Sequence, residues 1–303
     1  MINRKPKAES RKPGTENISV HGSRFTVHDL PPVADMMRAA GLEPKKQLGQ
    51  NFLFDLNLTL KIARSVPDIE NMTVAEVGPG PGGLTRALLM AGAKHVIAIE
   101  KDRATEPILN QIAAASDGRL EIIFGDAMNW AKDEGRRMKD EYAICSNLPY
   151  NVGTELLIQW LHLIGDTSSI ILHPSSLTLM FQREVAMRIV ARVGDAAYGR
   201  LSVLTSLVAD AKILFNVPPT AFYPKPKVMS SVVQIIPKAE SGKRKAEIEK
   251  VEILTAKLFG QRRKMIRGII PNVDWEKFGL TGRERAQELS PEKFTELAAA
   301  GVV

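Results

Sequence analysis

Between residues 72 and 150, short apolar β-rich runs alternate with stretches whose apolar residues fall at helical spacing: Thr73 to Val77, Leu84 to Ala91, His95 to Glu100 and Thr105 to Ala115. Strand-length runs alternating with helical ones mark βαβ units, so the pattern predicts a parallel sheet flanked by helices. Leu120 to Phe124 and Tyr142 to Ser146 add two buried strands, each followed at once by polar residues, Gly125-Asp126 and Asn147. In open α/β sheets the ligand crevice lies outside the carboxyl ends of the strands. Four consecutive strand ends therefore bring Gly78, Glu100, Asp126 and Asn147 to one rim.

Beyond that rim, Gly153 to Leu163 reads as a helix with Leu156, Leu157, Trp160 and Leu161 on one side. Residues 168–176 carry no assignable pattern. Leu177 to Phe181 predicts a fifth strand, Gln182 to Val193 and Leu201 to Ala209 predict helices, and Lys212 to Val217 with Ser231 to Ile236 close the sheet. Between the last two lies Pro218 to Lys227, whose prolines oppose regular structure and stiffen a loop carrying Phe222 and Tyr223. The polar, charged stretch from Lys238 to Lys245 reads as a linker, which divides the chain into a domain over 41–238 and a helical module over 239–303. Within the module Val251 to Phe259 has apolar helical spacing. Ser290-Pro291-Glu292 opens the final helix with an N-cap, a proline and an acidic first turn.

Composition narrows the classes. The hydrophobic fraction of 44 % is that of a globular chain, and no run approaches the roughly 18 apolar residues of a membrane span, which predicts a soluble protein. A single cysteine, Cys145, excludes an internal disulfide framework. Five scattered histidines without close ligand spacing argue against structural zinc, so we expect no metal and a reducing cytoplasm. The net charge of +7 is compatible with a polyanionic partner. Residues 1–40 begin with Arg4, Lys5, Lys7, Arg11 and Lys12 among Ser, Gly and Pro, and predict an unstructured basic tail. A transit peptide is the weaker reading, because Glu9, Glu16, Pro6 and Pro13 oppose a basic amphipathic helix.

Two motifs carry chemistry. Gly78-x-Gly80-x-x-Gly83 matches the dinucleotide fingerprint, with Glu100 ending the next strand where a ribose hydroxyl would be held. Alone it fits a nicotinamide or flavin enzyme, an S-adenosylmethionine (SAM) enzyme or a structural turn. Asp126, placed to accept from an adenine amine, and Asn147-Leu148-Pro149-Tyr150 at the fourth strand end favour SAM. An exocyclic base amine is planar and weakly nucleophilic, so its catalyst must grip the N–H hydrogens and clamp the ring. The Asn147 side-chain oxygen and the Leu148 carbonyl would accept from the amine, Pro149 shapes the turn, Tyr150 stacks on the flipped base, and Phe222 or Tyr223 closes the other face. Cys145 sits inside an apolar strand and reads as a buried thiol rather than a nucleophile.

These motifs resemble those of the small-subunit ribosomal RNA adenine dimethyltransferases. The resemblance runs from Lys45 to the C-terminus through Leu48-Gly49-Gln50-Asn51-Phe52-Leu53, Glu76 to Thr85, Ile99 to Asp102, Gly125-Asp126-Ala127, Asn147 to Asn151, Phe181 to Ala186, Tyr198 to Val203, Phe222 to Val228 and Phe259 to Lys264. It implies a SAM-dependent methyltransferase fold: a mostly parallel seven-stranded sheet with one reversed strand and a small helical C-terminal domain. It further implies two methylations on each of two adjacent adenosines in the 3′-terminal hairpin loop of 16S rRNA, and a late checkpoint in 30S assembly. By matched position, Asn51, Leu53, Gly78, Glu100, Asp126 and Asn147 resemble cofactor contacts, with Gln50, Phe52 and Gly80 beside them. Arg200, Tyr223, Lys225, Lys227, Arg262, Arg263, Lys264 and Arg267 are expected to meet RNA, and the protein is expected to be a monomer. The related resistance methyltransferases of large-subunit rRNA and a binding-only assembly factor are the alternative readings. The chain departs from the family in the longer stretch before Lys45 and at residues 168–176.

Overall fold

The strand-like runs assemble as their alternation requires. The computed structural model describes residues 25–133, 141–166, 173–239 and 245–302. Its strands are β1 (Phe52–Leu53), β2 (Thr73–Val77), β3 (His95–Glu100), β4 (Leu120–Phe124), β5 (Tyr142–Asn147), β6 (Ser176–Gln182), β7 (Ala209–Val217), β8 (Phe222–Tyr223) and β9 (Ser230–Pro237). Seven of them form one sheet in the order β4-β3-β2-β5-β6-β9-β7. The pairs β4-β3, β3-β2, β2-β5 and β5-β6 are parallel, and β9 runs against both β6 and β7.

Strand side chains alternate between two faces, and both faces are covered. Val74, Val96, Ala98, Ala143 and Cys145 belong to one apolar cluster, which also holds buried residues of α2 (Leu56–Ala63), α3 (Gly83–Met90) and α4 (Glu106–Ala114). Ala75, Ile97, Ile99, Ile144, Leu177 and Leu179 belong to the other, with α6 (Gly153–Gly165) and α8 (Arg200–Val208). The second cluster continues without a break into α9 (Lys245–Phe259) and α10 (Pro291–Ala299) through Ile248, Val251, Leu254, Phe294 and Leu297. A Cβ on Gly165 would lie 2.2 Å from Ile248 Cδ1, so the helical module packs directly on α6.

Several expectations are corrected. Residues 25–40 are not an unstructured tail, because α1 (Val33–Ala39) lies there and Val27, Leu30, Met36 and Met37 are buried in the first cluster. The remainder of the tail, residues 1–24, lies outside the described residues. The proline-rich stretch after Val217 is not free of regular structure. β8 pairs antiparallel with β1, Phe52 opposite Tyr223 and Leu53 opposite Phe222, because two residues suffice for a ladder between the prolines. The helix expected over 182–193 is α7 (Arg183–Val190); it stops where Ala191 turns extended (φ −64°, ψ 146°). Most of the stretch 168–176, and residues 240–244 of the expected linker, also lie outside the described residues. α5 (Ala127–Asp133) follows β4 directly.

Candidate active site

The sequence motifs meet at one cleft over the carboxyl ends of β2, β3, β4 and β5. Gln50, Asn51, Phe52, Leu53, Gly78, Gly80, Glu100, Asp126 and Asn147 through Tyr150 all line it. The glycine loop is close-packed backbone. Gly80 has φ 54°, and a Cβ there would sit 2.7 Å from the Phe52 ring; one on Gly83 would sit 2.3 Å from the Leu53 carbonyl oxygen. Only glycine fits, which leaves the floor of the cleft lined by main chain. The β1 motif thus forms a wall pressed against the loop.

The acidic groups differ in state. Glu100 is buried and accepts from the backbone N–H groups of Gly80 (2.9 Å), Lys101 (2.8 Å) and Asp102 (2.7 Å). Burial nevertheless pushes its carboxyl above the ordinary range, against those three bonds. Asp126 is held low by the Lys101 ammonium at 2.9 Å and by the Met128 N–H. Glu76, one residue inside the end of β2, is fully enclosed; burial drives its carboxyl up to about 8, opposed by the Thr85 hydroxyl at 2.6 Å and reinforced by the charge of Glu100. Cys145 is buried and pushed well above its usual range by burial and then by Glu76, in keeping with an inert core thiol.

Asn147 ends β5. Its Nδ2 donates to the Asn51 carbonyl at 2.8 Å, which fixes the amide orientation and leaves Oδ1 as the end able to accept. Next along, the Tyr150 hydroxyl lies 2.6 Å from Ser230 Oγ at the start of β9. The segment carrying Asn51 is pinned in turn. Lys45 Nζ lies 2.7 Å from Asp102 Oδ1, and the Lys45 N–H donates to Gln50 Oε1 at 2.8 Å. Burial of Asp102 opposes ionisation, yet Lys45 and the Ala104 N–H outweigh it and hold that carboxyl low.

Sequence reasoning overlooked Ser230, Lys101 and Asp102 as parts of the site. Lys101 and Asp102 stood inside a quoted motif beside Glu100, whereas nothing local marked Ser230, which reaches Tyr150 only through the pairing of β6 with β9. Three expected residues fall elsewhere. Phe222 is buried among apolar residues and, like the exposed Tyr223, does not line the cleft; the β8 pairing turns the two in opposite directions. Arg262 is half-buried and already engaged by the protein, its Nε donating to Gln287 Oε1 (2.8 Å) and its Nη2 to the Ala196 carbonyl (2.9 Å). Arg200, Lys225, Lys227, Arg263, Lys264 and Arg267 are exposed.

The cleft suits SAM. Glu100 can accept from ribose hydroxyls, Asp126 from an adenine amine, and the main-chain floor admits close approach. The sheet order with its reversed β9, the glycine loop after β2 and the acidic end of β3 define a SAM-dependent methyltransferase. The Ribosomal RNA adenine dimethylase family model matches residues 41–300. Over 280 residues the chain is 50% identical to "Ribosomal RNA small subunit methyltransferase A" of Chelativorans sp. (strain BNC1), covering 90% of this chain and 99% of that one. It is 51% identical over 282 residues to the protein of the same name from Azorhizobium caulinodans, covering 90% and 94%. The chain belongs to the ribosomal RNA adenine dimethylase family and is a SAM-dependent enzyme. Among solved structures, a dimethyladenosine transferase from Plasmodium falciparum shares the fold at TM-score 0.67 and 24% identity, covering 82% of this chain and 98% of that one. The 23S rRNA methyltransferase ErmE does so at TM-score 0.59 and 22% identity, covering 82% and 98%. Among the described residues no helix is long and apolar enough to cross a membrane, and no cluster of His, Cys, Asp and Glu could hold a metal ion.

Proposed function

We propose that the protein dimethylates N6 of two adjacent adenosines in the 3′-terminal hairpin loop of 16S rRNA, acting as a cytoplasmic monomer on the 30S subunit or its precursor, and serves as a late checkpoint in 30S assembly. The observation that carries this reading is Asn147, its amide nitrogen anchored on Asn51 and its oxygen left to accept, beside Tyr150 and above the glycine loop. The relatives' name, which specifies the small subunit, supports a small-subunit substrate over a large-subunit one.

Bound in the cleft, SAM supplies an activated methyl on a sulfonium, so the protein's part is placement and electrostatics. Glu100 would hold the ribose hydroxyls and Asp126 the adenine amine, while Gln50, Asn51, Phe52, Leu53, Gly78 and Gly80 wall the site. Asn147 Oδ1 and the Leu148 carbonyl accept the N6–H groups of the target adenine and bring its lone pair out of conjugation with the ring. Such alignment can contribute several kcal/mol. Tyr150 lies on one face of the base, and the exposed Tyr223 is the aromatic available to close the other. Transfer of the methyl to N6 would break its bond to the sulfonium and leave a neutral thioether, and the N6 proton, acidic once N6 is alkylated, can leave to water, so no general base is required. After one transfer fewer N–H donors remain, and the shape of the cleft must hold the monomethylated amine.

The test is methyl incorporation from labelled SAM into 30S subunits lacking the hairpin dimethyladenosines, with methylated 30S and naked 23S rRNA in parallel. Incorporation approaching four methyl groups only in the unmethylated 30S is expected. Labelling of 23S rRNA would move the substrate to the large subunit, and tight 30S binding without labelling would leave only the checkpoint role. Asn147→Ala should abolish turnover while retaining 30S binding.

A further inference from the structure

Beside the base site runs a groove that the methyl-transfer chemistry leaves unused. Gln182, Arg183, Glu184, Met187, Val228 and Met229 line it. Met187, Val228 and Met229 are 43%, 45% and 38% exposed, a contiguous apolar strip open to solvent. The strip is preformed, because the Arg183 N–H donates to the Met229 carbonyl at 2.9 Å and ties the start of α7 to the chain entering β9.

The groove is linked to the catalytic cleft through β9. Gln182 and Ser230 are register partners across β6 and β9, and Ser230 Oγ is the atom 2.6 Å from the Tyr150 hydroxyl. Met229 is thus one residue along the chain from the group that holds the base-stacking tyrosine. A base drawn out of a strand into the cleft leaves its neighbour one nucleotide away, and an unstacked base needs an apolar surface to replace the stacking it has lost. Positive charge on Arg183, which lines the groove, and on Lys225 and Lys227, just before Val228 in the chain, suits the backbone of that neighbour. Arg183, Lys225 and Lys227 are exposed, and the one acidic lining residue, Glu184, has its carboxylate 2.5 Å from Arg188 and so does not confront a phosphate with a free negative charge.

We propose that this groove receives the nucleotide adjacent to the target adenosine, its base resting on Met187, Val228 and Met229 and its phosphate facing Arg183, Lys225 and Lys227. The thioethers are polarisable and make favourable contacts with aromatic rings, as an unpaired base demands. The inference rests on the RNA-modifying reading above and gives the enzyme a second contact by which to choose its base: the neighbour as well as the target.

Two measurements test it, both on unmethylated 30S. The double variant Met187→Ser with Val228→Ser should raise KM for 30S about tenfold, in line with loss of a sulfur–aromatic contact and of apolar surface against the base. Its SAM affinity by calorimetry should stay unchanged and its melting temperature should change little, since both side chains lie at the surface outside the cofactor cleft. Benzoylphenylalanine in place of Val228 should crosslink under light to an rRNA nucleotide next to a methylated adenosine. An unaltered KM would overturn the proposal, as would a crosslink to a ribosomal protein, to a distant part of the rRNA or to nothing. Failure of the wild-type protein to methylate 30S would instead strike the functional reading, so the two failures are distinguishable.

Discussion

Tyr150 is held from behind by a single hydroxyl. Ser230 is fully buried in β9, and the 2.6 Å bond from its side chain fixes where the Tyr150 ring can lie. Replacing Ser230 with Ala removes no bulk but frees the ring, and one such hydrogen bond is worth about 1 kcal/mol. Ser230→Ala should therefore lower kcat/KM for 30S about fivefold without changing SAM affinity. Tyr150→Phe should have a similar effect, and the double variant should be no worse than either single one; additive losses would mean that Ser230 acts elsewhere. A different residue governs the pH response. Glu76 is enclosed with Thr85 and lies near Glu100 and Cys145, and its carboxyl is raised from 4.5 to about 8. Between those values the folded protein holds a proton that the unfolded chain has released, so stability falls as pH rises across that window and the loss is complete above about 8. Glu76→Gln, which keeps the shape and cannot ionise, should flatten the decline in melting temperature between pH 5 and 8. An identical slope in both proteins would show that Glu76 is not the titrating group.

At the scale of elements, α1 hangs on a residue of α3. Arg86 is only 6% exposed, and its guanidinium donates to the carbonyls of Pro31 (2.7 Å) and His28 (3.3 Å). Arg86→Met would leave those carbonyls without their donor at a cost of about 1–3 kcal/mol. It should lower the melting temperature by a few degrees and open residues 28–40 to limited proteolysis, with kcat on 30S little changed. Protease resistance equal to wild type would place the anchor of α1 in its apolar contacts alone. That segment also shows where the sequence was legible. The βαβ alternation and the polar residues at strand ends reported the sheet and its rim, because β2, β3 and β5 bury both faces and stop where the cleft begins. The entry segment was not legible. Val33, Met36 and Met37 make only two turns of apolar spacing, and the arginine that secures them lies some fifty residues further on. The β1-β8 ladder was hidden for a similar reason: two-residue strands carry no periodicity, and the fold rather than either local sequence brings Phe52 opposite Tyr223 and Leu53 opposite Phe222. Position on the rim could be inferred from spacing, whereas Ser230 required the register of β9.

For the whole molecule, the boundary near residue 238 changes composition but does not interrupt the core. α9 seats Ile248 against Gly165 of α6, and His162 Nε2 lies 3.0 Å from a Glu252 carboxylate oxygen across the same contact. The basic run 262–264 therefore has two jobs divided by residue. Arg262 lies half-buried along the surface, linking the carbonyl of Ala196 to Gln287, while Arg263 and Lys264 face solvent. RNA affinity from exposed cations comes mainly through release of counterions, which makes it steeply salt-dependent. Arg263→Glu with Lys264→Glu should weaken 30S binding and reduce the slope of log affinity against log salt by about 1–2, with the melting temperature unaltered. Arg262→Ala should do the reverse: a lower melting temperature from two lost bonds, and a salt slope close to wild type. If Arg262→Ala instead changed the slope and left stability alone, its guanidinium would have to leave Gln287 and Ala196 for the phosphate backbone when RNA binds, and the half-buried and exposed parts of the run would act as one RNA-binding surface.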